Sequence, residues 1–563
     1  MSTTFKTLAE LGERLESTNR RSLKIDLAAT FLKSIDSAET EPAATMLVGR
    51  PFPKWDQRTL EVSWTILSSI IRQATGTDWK LFREAFNKTG DVGAATMAAF
   101  EKTRVKRQTA LFESPLTIVG VRHSFDAISE AVGSGSREKK ERLMRALFSQ
   151  ASPLEAKYLV KIFIGDMRTG FHEGLLEQAV SKAFEVPLRK VQEASMVLGD
   201  VGTVASIVKS EGPTGLERIG FKIFRPVSLM LAQVADSVED ALKVHGGRTA
   251  FEFKYDGARV QIHKSKNIVK IFSRRLTDVT ESLPEIVDLA KKMPIQEVIM
   301  EGEAVAVDRR GFPIPFQHLM RRFRRVHGIA DVAEEIPLKL YLFDVLYLNG
   351  QNMISVPYQK RREMLVSIVG ELPLTMQLVT DNASEARGFL GQAMDAGHEG
   401  LMAKKLDGPY TPGTRGKRWL KVKPILEPLD LAIVAAEWGY GRRHNWLSDY
   451  YLAARDIDTG KFEPVGKTFK GLTDAEIIEI TKRLKDSIVE SEPRRVVVVP
   501  KIVVEVAYNE IQKSPTYECQ MALRFARITR IRDDKTPDEA STIQQIREIY
   551  ERQFEKKGRY TTE

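Results

Sequence analysis

Cysteine is almost missing from this sequence: Cys519 is the only one in 563 residues. A single thiol can build neither an intramolecular disulfide framework nor a cysteine-based zinc site. Long apolar runs are missing too. The nearest, "RRVVVVPKIVVEVAY", is interrupted by Pro500 and Lys501 and is too short to span a bilayer. The first residues, "MSTTFKTLAELGERLE", are charged and amphipathic and lack the apolar core of a secretory signal. The 8 histidines show no metal-ligand spacing, and no internal repeat or low-complexity tract appears. Together these absences predict an intracellular protein with no membrane association, a prokaryotic cytoplasm being the simplest location.

The length predicts about three or four domains, and 42% hydrophobic with 28% charged residues is ordinary for a globular chain. Lys and Arg number 85 against 75 Asp and Glu, a net charge of +10, which suits a polyanionic partner without requiring one. The excess is locally dense at "RRFRRVH" (321–327), which reads as a phosphate-backbone contact in preference to a solvated face.

Periodicity divides the chain. Residues 1–215 carry helical spacing: in "GFHEGLLEQAVSKAF", Phe171, Leu175, Ala179 and Ala183 recur every four residues, with Leu176, Val180 and Phe184 widening the stripe. "VGSGSREKK" (132–140) reads as an exposed loop. "IGDMRTG" and "LGDVGTVA" lie where helices would begin, and bare helix N-termini can hold phosphates, although most such turns are only turns. Residues 216–424 alternate in short strands mixed with helices. Residues 425–563 add strands and two helix starts, the capping boxes Thr473/Glu476 and Thr536/Glu539, with Pro537 at the first helical position of the second. Strands of that length with one or two helices suit a small barrel.

In the middle region, alternation sorts chemistry onto faces. "FEFKYDGARVQIH" (251–263) points Phe251 and Phe253 into a core and Glu252 and Lys254 the other way. Glu301 and Glu303 share a face of "VIMEGEAVAVD", Lys421 and Lys423 share one of "KRWLKVKP", and Tyr341 and Phe343 lie together in "LYLFDVLYL". A pocket of such groups can stack a purine, hold a divalent metal and neutralise a polyphosphate. Singly, each has an ordinary structural explanation. Lys254 is the hardest to explain that way. An amine near its reference pKa of about 10.4 is protonated and inert, and partial burial beside Arg259, Lys421, Lys423 and a bound metal would lower that value and make it a nucleophile.

These residues closely resemble the covalent nucleotidyltransferases, the superfamily of DNA ligases, RNA ligases and mRNA capping enzymes. "KYDGAR" is similar to their Lys-x-Asp-Gly-x-Arg signature. "SRRLTDVT", "EGEAVAVD", "LFDVLYLNG", "EGLMAKK", "WLKVKP" and "RITRIRDDK" follow in the family's order. The helical stretch "KIFIGDMRTGFHEGLLEQAVSKAF" with "GDVGTVA", and "EVAYNEIQKSPTY" with "ALRFARITRIRDDK", resemble the ATP-dependent DNA ligases of the archaeal and eukaryotic replicative type. The resemblance covers nearly the whole chain. It implies an all-α DNA-binding domain (1–215), an α+β adenylation domain (216–424) and an OB-fold β-barrel (425–563).

The resemblance implies the following roles at the matching positions, each an expectation. Lys254 attacks the α-phosphorus of ATP and carries AMP. Glu252 reads the adenine edge, and Phe343 stacks on the ring. Arg259 and Arg274 contact ribose and phosphate. Glu303 and Glu399 hold Mg²⁺. Lys421 and Lys423 bind the α-phosphate, with Arg415 and Lys404 lining the same pocket. Arg532 and Lys535 on the barrel close over the site. The implied substrate is nicked duplex DNA, sealed in replication, repair or recombination by a monomer beside the nucleoid.

A sliding-clamp peptide of Gln-x-x-aliphatic form is a weaker match at Gln108 and Leu111 in "RQTALFESPLT", where a strand or loop of the domain core fits better. Three other readings share part of this pattern. They are an RNA-joining or capping enzyme, a donor such as ADP, GTP or NAD, and a DNA-binding scaffold without catalysis. A scaffold would have lost the nucleophile or the metal residues, and none is missing.

Overall fold

The computed structural model describes residues 2–76, 79–104, 115–323, 335–370, 372–413, 415–423 and 426–554. Through Glu211 the described regular elements are α-helices, followed by a 3-10 turn at Pro213–Arg218. The stripe read in "GFHEGLLEQAVSKAF" becomes the helix Glu173–Phe184, which buries Leu175, Leu176, Ala179, Val180 and Ala183 in one large core with Phe5, Leu8 and Val204. The expected loop at 132–140 is shorter than its composition suggests. Gly135 takes a left-handed φ of +77°, and the helix Ser136–Gln150 begins directly after it. Its "REKKERL" start is made of good helix formers, which outweigh the Gly/Ser punctuation.

The helix start in "LGDVGTVA" is closed to anions by its own sequence. Asp200 caps Val201–Glu211, its carboxylate accepting from the Thr203 N–H at 2.7 Å.

One feature of this helical region is a buried ionic cluster. The helix Pro153–Ile164, opened by a Ser152/Glu155 capping box, turns Lys157 and Lys161 toward Glu13 and Glu16 on the helix Phe5–Glu16. Lys161, 1% exposed, meets Glu16 at 3.0 Å, Asp91 at 2.8 Å and the Met167 carbonyl at 3.0 Å. Tyr158 donates its hydroxyl to Glu13 at 3.0 Å.

Among the described residues the middle region holds two five-stranded sheets. In chain order the strands are β1 (Leu231–Ala235), β2 (Thr249–Phe253), β3 (Ala258–Ser265), β4 (Ile268–Ser273), β5 (Glu297–Ala306), β6 (Leu338–Leu348), β7 (Gln351–Asn352), β8 (Gln377–Thr380), β9 (Leu401–Lys405) and β10 (Arg415–Val422). One sheet runs β1-β10-β9-β2-β8 and the other β4-β3-β5-β6-β7. Each sheet has its own apolar core. A smaller cluster of Met230, Ile299, Phe343, Leu346, Tyr410 and Trp419 joins the two. The chain crosses between the sheets immediately after Lys254.

Arg322, from the basic cluster, does not face solvent. It is 2% exposed, paired with Glu285 at 2.8 Å and bonded to the Ile336 carbonyl at 2.9 Å. The rest of that cluster beyond Phe323 lies outside the described residues, as do Gln108 and Leu111.

Strands β11 (Leu429–Trp438) to β19 (Arg527–Ile531) make the C-terminal barrel region, seven in one sheet and two, Glu510–Lys513 and Met521–Arg524, in a separate pair. β11 pairs with β16 (Val503–Ala507) through its first half and β15 (Arg495–Val498) through its second, which curls the sheet. Pro500 falls between those partners. Thr473 and Glu476 cap the helix Asp474–Lys485. The second capping box opens only a 3-10 turn, Pro537–Glu539, and the α-helix starts at Ile543. Ser541 is bonded to Asp430 and Arg455 through its backbone, so the chain is held extended there.

The three regions touch. The Gln57 amide bonds to Leu276 and Asp278, each at 2.9 Å. Arg225 lies 4.1 Å over the Trp55 ring. Phe86 meets Tyr440 of the barrel, ring centroids 5.2 Å apart.

Candidate active site

Two loops clip each other at the centre of the middle region. The Lys254 N–H donates to the Gly400 carbonyl at 2.8 Å, and the Glu399 N–H donates to the Lys254 carbonyl at 3.0 Å. This clip sets the Lys254 amine directly against the Glu399 carboxylate. Lys423, one residue past β10, lies 2.6 Å from the same carboxylate oxygen. The approach depends on Gly400, whose φ is +134°: a Cβ there would sit 2.3 Å from the Val422 carbonyl. Gly257 is needed for the same reason on the other side. Its Cβ would meet the Ala304 carbonyl at 2.5 Å and Glu303 Cγ at 2.9 Å.

Arg259 pairs across the strands with Glu303 in register and bonds to Glu301 at 2.7 Å. Its Nε is buried without a partner, a donor left unspent. Glu252 is 1% exposed, and its carboxylate accepts from Tyr358, from Lys404 at 2.7 Å and from Gln377 at 3.1 Å. Lys404, itself buried, sits 4.6 Å from the ring centroids of both Phe343 and Trp419. Glu252 and Lys404 thus form a buried ion pair against the rings of Phe343 and Trp419.

Phe343 and Tyr341 do not lie together as alternation predicts. Glu301 pairs with Asp344 and Gly302 with Leu342, so Phe343 is the extra residue of a bulge. Tyr341 stacks on Tyr255 at 4.0 Å, whereas Phe343 turns edge-on to Trp419 at 6.0 Å. A bulge re-aims a side chain in this way.

The charges are unevenly satisfied. Lys254 is raised above the ordinary lysine value: burial lowers it, but Glu399, Glu303 and Asp256 outweigh burial. This reverses the expectation that nearby cations would lower it. Burial pushes Glu303 up to about 7 in spite of Lys254 and Arg259. Lys421 is lowered by burial and then by the nearby cations Lys423, Lys254, Arg415 and Arg274.

Such a surplus of positive charge fits a polyphosphate. Among the described residues no group of three metal-type side chains converges. A divalent ion would take Glu303 and Glu399 and complete its shell with phosphate and water, as Mg²⁺ commonly does.

Arg532 and Lys535 are not brought to this site. Both bind Asp430 of β11, at 2.8 Å and 2.6 Å, and Arg532 also binds Asp534 at 2.7 Å. Sequence reading missed Trp419, Tyr358 and Tyr410, buried aromatics that pack or bond against Phe343, Glu252 and Arg259. Tyr410 sits in "GPYTPG", whose turn residues hide a buried aromatic.

Three family models match the chain: DNA ligase N terminus over residues 4–180, ATP dependent DNA ligase domain over 229–423, and ATP dependent DNA ligase C terminal region over 443–535. The DNA ligase of Thermococcus onnurineus (strain NA1) is 45% identical, covering 97% of this chain and 98% of that protein. DNA ligase 1 of Korarchaeum cryptofilum (strain OPF8) is 46% identical over 98% of this chain and 99% of its own. The solved structure named Pmar-Lig_PreS3 shares the fold at a TM-score of 0.58 and 16% identity, covering 93% of this chain and 99% of that one. With a clip that presents one lysine among neighbouring cations, and relatives this similar along almost its full length, the chain belongs to the ATP-dependent DNA ligase family.

Proposed function

We infer that Lys254 is the residue through which this ligase works, taking AMP from ATP and passing it to DNA. The observation that carries this reading is the backbone clip holding its amine where Glu399, Lys423 and Glu303 converge. Beside Glu399 the amine is held as an ammonium, so loading requires Glu399 to be drawn away and the proton to leave. A divalent cation held by Glu303 and Glu399, Mg²⁺ by its chemistry, would draw those carboxylates off the amine and offset charge on the phosphoryl oxygens.

The Lys254 nitrogen then bonds to the α-phosphorus, the bond to the bridging oxygen breaks, and pyrophosphate leaves. Lys421, Lys423, Arg415 and Arg274 hold the phosphates, Arg259 the ribose side, and Phe343 with Trp419 the base. The AMP passes to a DNA 5′-phosphate, and the 3′-hydroxyl displaces it to seal the nick. Each step is a phosphoryl transfer, in which positioning and charge neutralisation supply most of the catalysis.

For Arg532 and Lys535 to join the pocket they must exchange Asp430 for pyrophosphate oxygens. That exchange belongs to a reorientation of the barrel, so the reading divides the chain at 215/216 and 424/425 into units that move. The protein acts as a monomer on the phosphate backbone beside the nucleoid, and its DNA affinity falls linearly in log–log with salt. Intact mass after incubation with Mg²⁺ and ATP tests the reading. One AMP is added to the native chain and none to Lys254→Ala, and nicked DNA discharges it. An adduct on Lys254→Ala, or none on freshly deadenylated native protein, overturns the assignment.

A further inference from the structure

Gln261 and His263 on β3, and Tyr410 ahead of β10, are buried polar side chains that take no part in the chemistry above. Their hydrogen bonds form one network that ends on Arg259. The Phe224 N–H donates to His263 Nδ1 at 3.1 Å, which leaves the proton on Nε2, facing Gln261 Oε1 at 2.9 Å. Burial pushes this ring down to about 3, so it stays a neutral relay. Gln261 Oε1 also accepts from the Val227 N–H at 2.7 Å, while its Nε2 donates to the Val227 carbonyl at 3.2 Å and to Glu301 at 3.3 Å. All four hydrogen-bonding positions of this amide are thereby used.

Tyr410 gives its hydroxyl to the same Glu301 oxygen at 2.9 Å and accepts from the Met230 N–H at 2.9 Å. Arg259 closes the network. It donates to the other Glu301 oxygen at 2.7 Å, to Tyr410 at 3.2 Å and to the Met230 carbonyl at 2.7 Å.

Every backbone group in this network lies in one segment, 224–230, between the helical region and β1. That segment is fixed on its other side by helical-region residues. Arg225 lies over Trp55, and Gly199, at φ +71°, backs onto the Pro226 carbonyl, where a Cβ would sit at 2.9 Å. Phe224 adopts a left-handed φ of +69°, a conformation that a bulky residue keeps only when its surroundings impose it.

We propose that Gln261 and Tyr410 are positioning residues. They fix the guanidinium plane of Arg259 through Glu301, and they make its aim depend on the seating of segment 224–230. The inference rests on the assignment of Arg259 to the nucleotide made above. A buried guanidinium held at one point can swing, whereas one held by a carboxylate, a hydroxyl and a carbonyl cannot.

The test is the ATP dependence of single-turnover adenylation by the full chain. The proteins compared are native, Arg259→Ala, Gln261→Leu, Tyr410→Phe and the two double variants with Arg259→Ala. Gln261→Leu and Tyr410→Phe each raise the ATP concentration for half-maximal loading by about tenfold while the plateau rate changes by less than about threefold. Added to Arg259→Ala, neither causes further loss, because residues acting through a third are non-additive with it. Multiplicative losses in the doubles, or normal ATP dependence in both singles beside an impaired Arg259→Ala, overturn the proposal alone. An unimpaired Arg259→Ala overturns the assignment beneath it as well. If Gln261→Leu does not fold, Tyr410→Phe, which loses only a hydroxyl, decides the question.

Discussion

The ionic cluster of the helical region and the one around Lys254 are both built of lysines and carboxylates, and composition hardly separates them. In the helical region Lys157 and Lys161 face Glu13, Glu16 and Asp91. In the middle region Lys254 and Lys423 face Glu399 and Glu303. The difference lies in how fully each charge is answered. Lys161 has three acceptors within 3.0 Å and is closed to solvent. Lys254 shares a single carboxylate oxygen with Lys423 and keeps 23% of its side chain exposed. In the first cluster both lysines are finished, closed to solvent and fully paired. The second has unspent donors, a carboxyl near neutrality and a surplus of cations, so it needs a ligand. Burial of charge alone points to neither role; incomplete satisfaction points to chemistry.

Alanine scanning should break the comparison at its widest point. Lys254→Ala should abolish adenylation, a loss of at least about four orders of magnitude since no other nucleophile replaces it, and leave the thermal midpoint nearly unchanged. Lys161→Ala should do the reverse. Chemistry in the folded fraction persists, while denaturant titration shows a loss of about 3 kcal/mol, because Asp91 is left buried without its cation.

Glu303→Gln sharpens the contrast through pH. Glu303 is raised from an ordinary value of 4.5 to about 7. The folded protein therefore keeps a proton that the unfolded chain releases across that window, and the group costs stability as pH rises. Glu303→Gln should lower adenylation by about a hundredfold or more. It should raise stability by up to about 3 kcal/mol at pH 8, with the gain vanishing below pH 4.5. Unfolding curves at both pH values check the sign. The smallest effect is expected from Tyr158→Phe, which removes one hydrogen bond to the finished cluster and should cost about 1 kcal/mol without touching activity.

Much of this was legible beforehand because it is local. Helical and strand periodicity, the Thr473/Glu476 cap and the break at Pro500 are decided within a few residues. The family motifs identified which residues to watch. What escaped was set by contacts distant in the chain. The bulge at Phe343 arises from a register shift against β5, and it parted two aromatics that alternation had joined. The raised Lys254 amine depends on Glu399, 145 residues away. Arg532 and Lys535 were expected at the pocket, yet Asp430 holds them on the barrel, a matter of domain arrangement that no motif encodes. The second capping box was read as an α-helix start and proved a single turn, since Ser541 is bound elsewhere.

The lone cysteine offers a practical consequence. Cys519 is 4% exposed, its sulfur lies 3.3 Å from the carbonyls of Pro464 and Met521, and burial raises its thiol above the ordinary value. A maleimide dye at neutral pH would find it a poor target, so the native chain serves as a nearly silent background for labelling. Cysteines introduced in place of Phe86 and Tyr440, where helical region and barrel meet, would carry a fluorophore pair with little stray signal. The distance between those dyes could then be followed in real time as ATP, and then nicked DNA, is added.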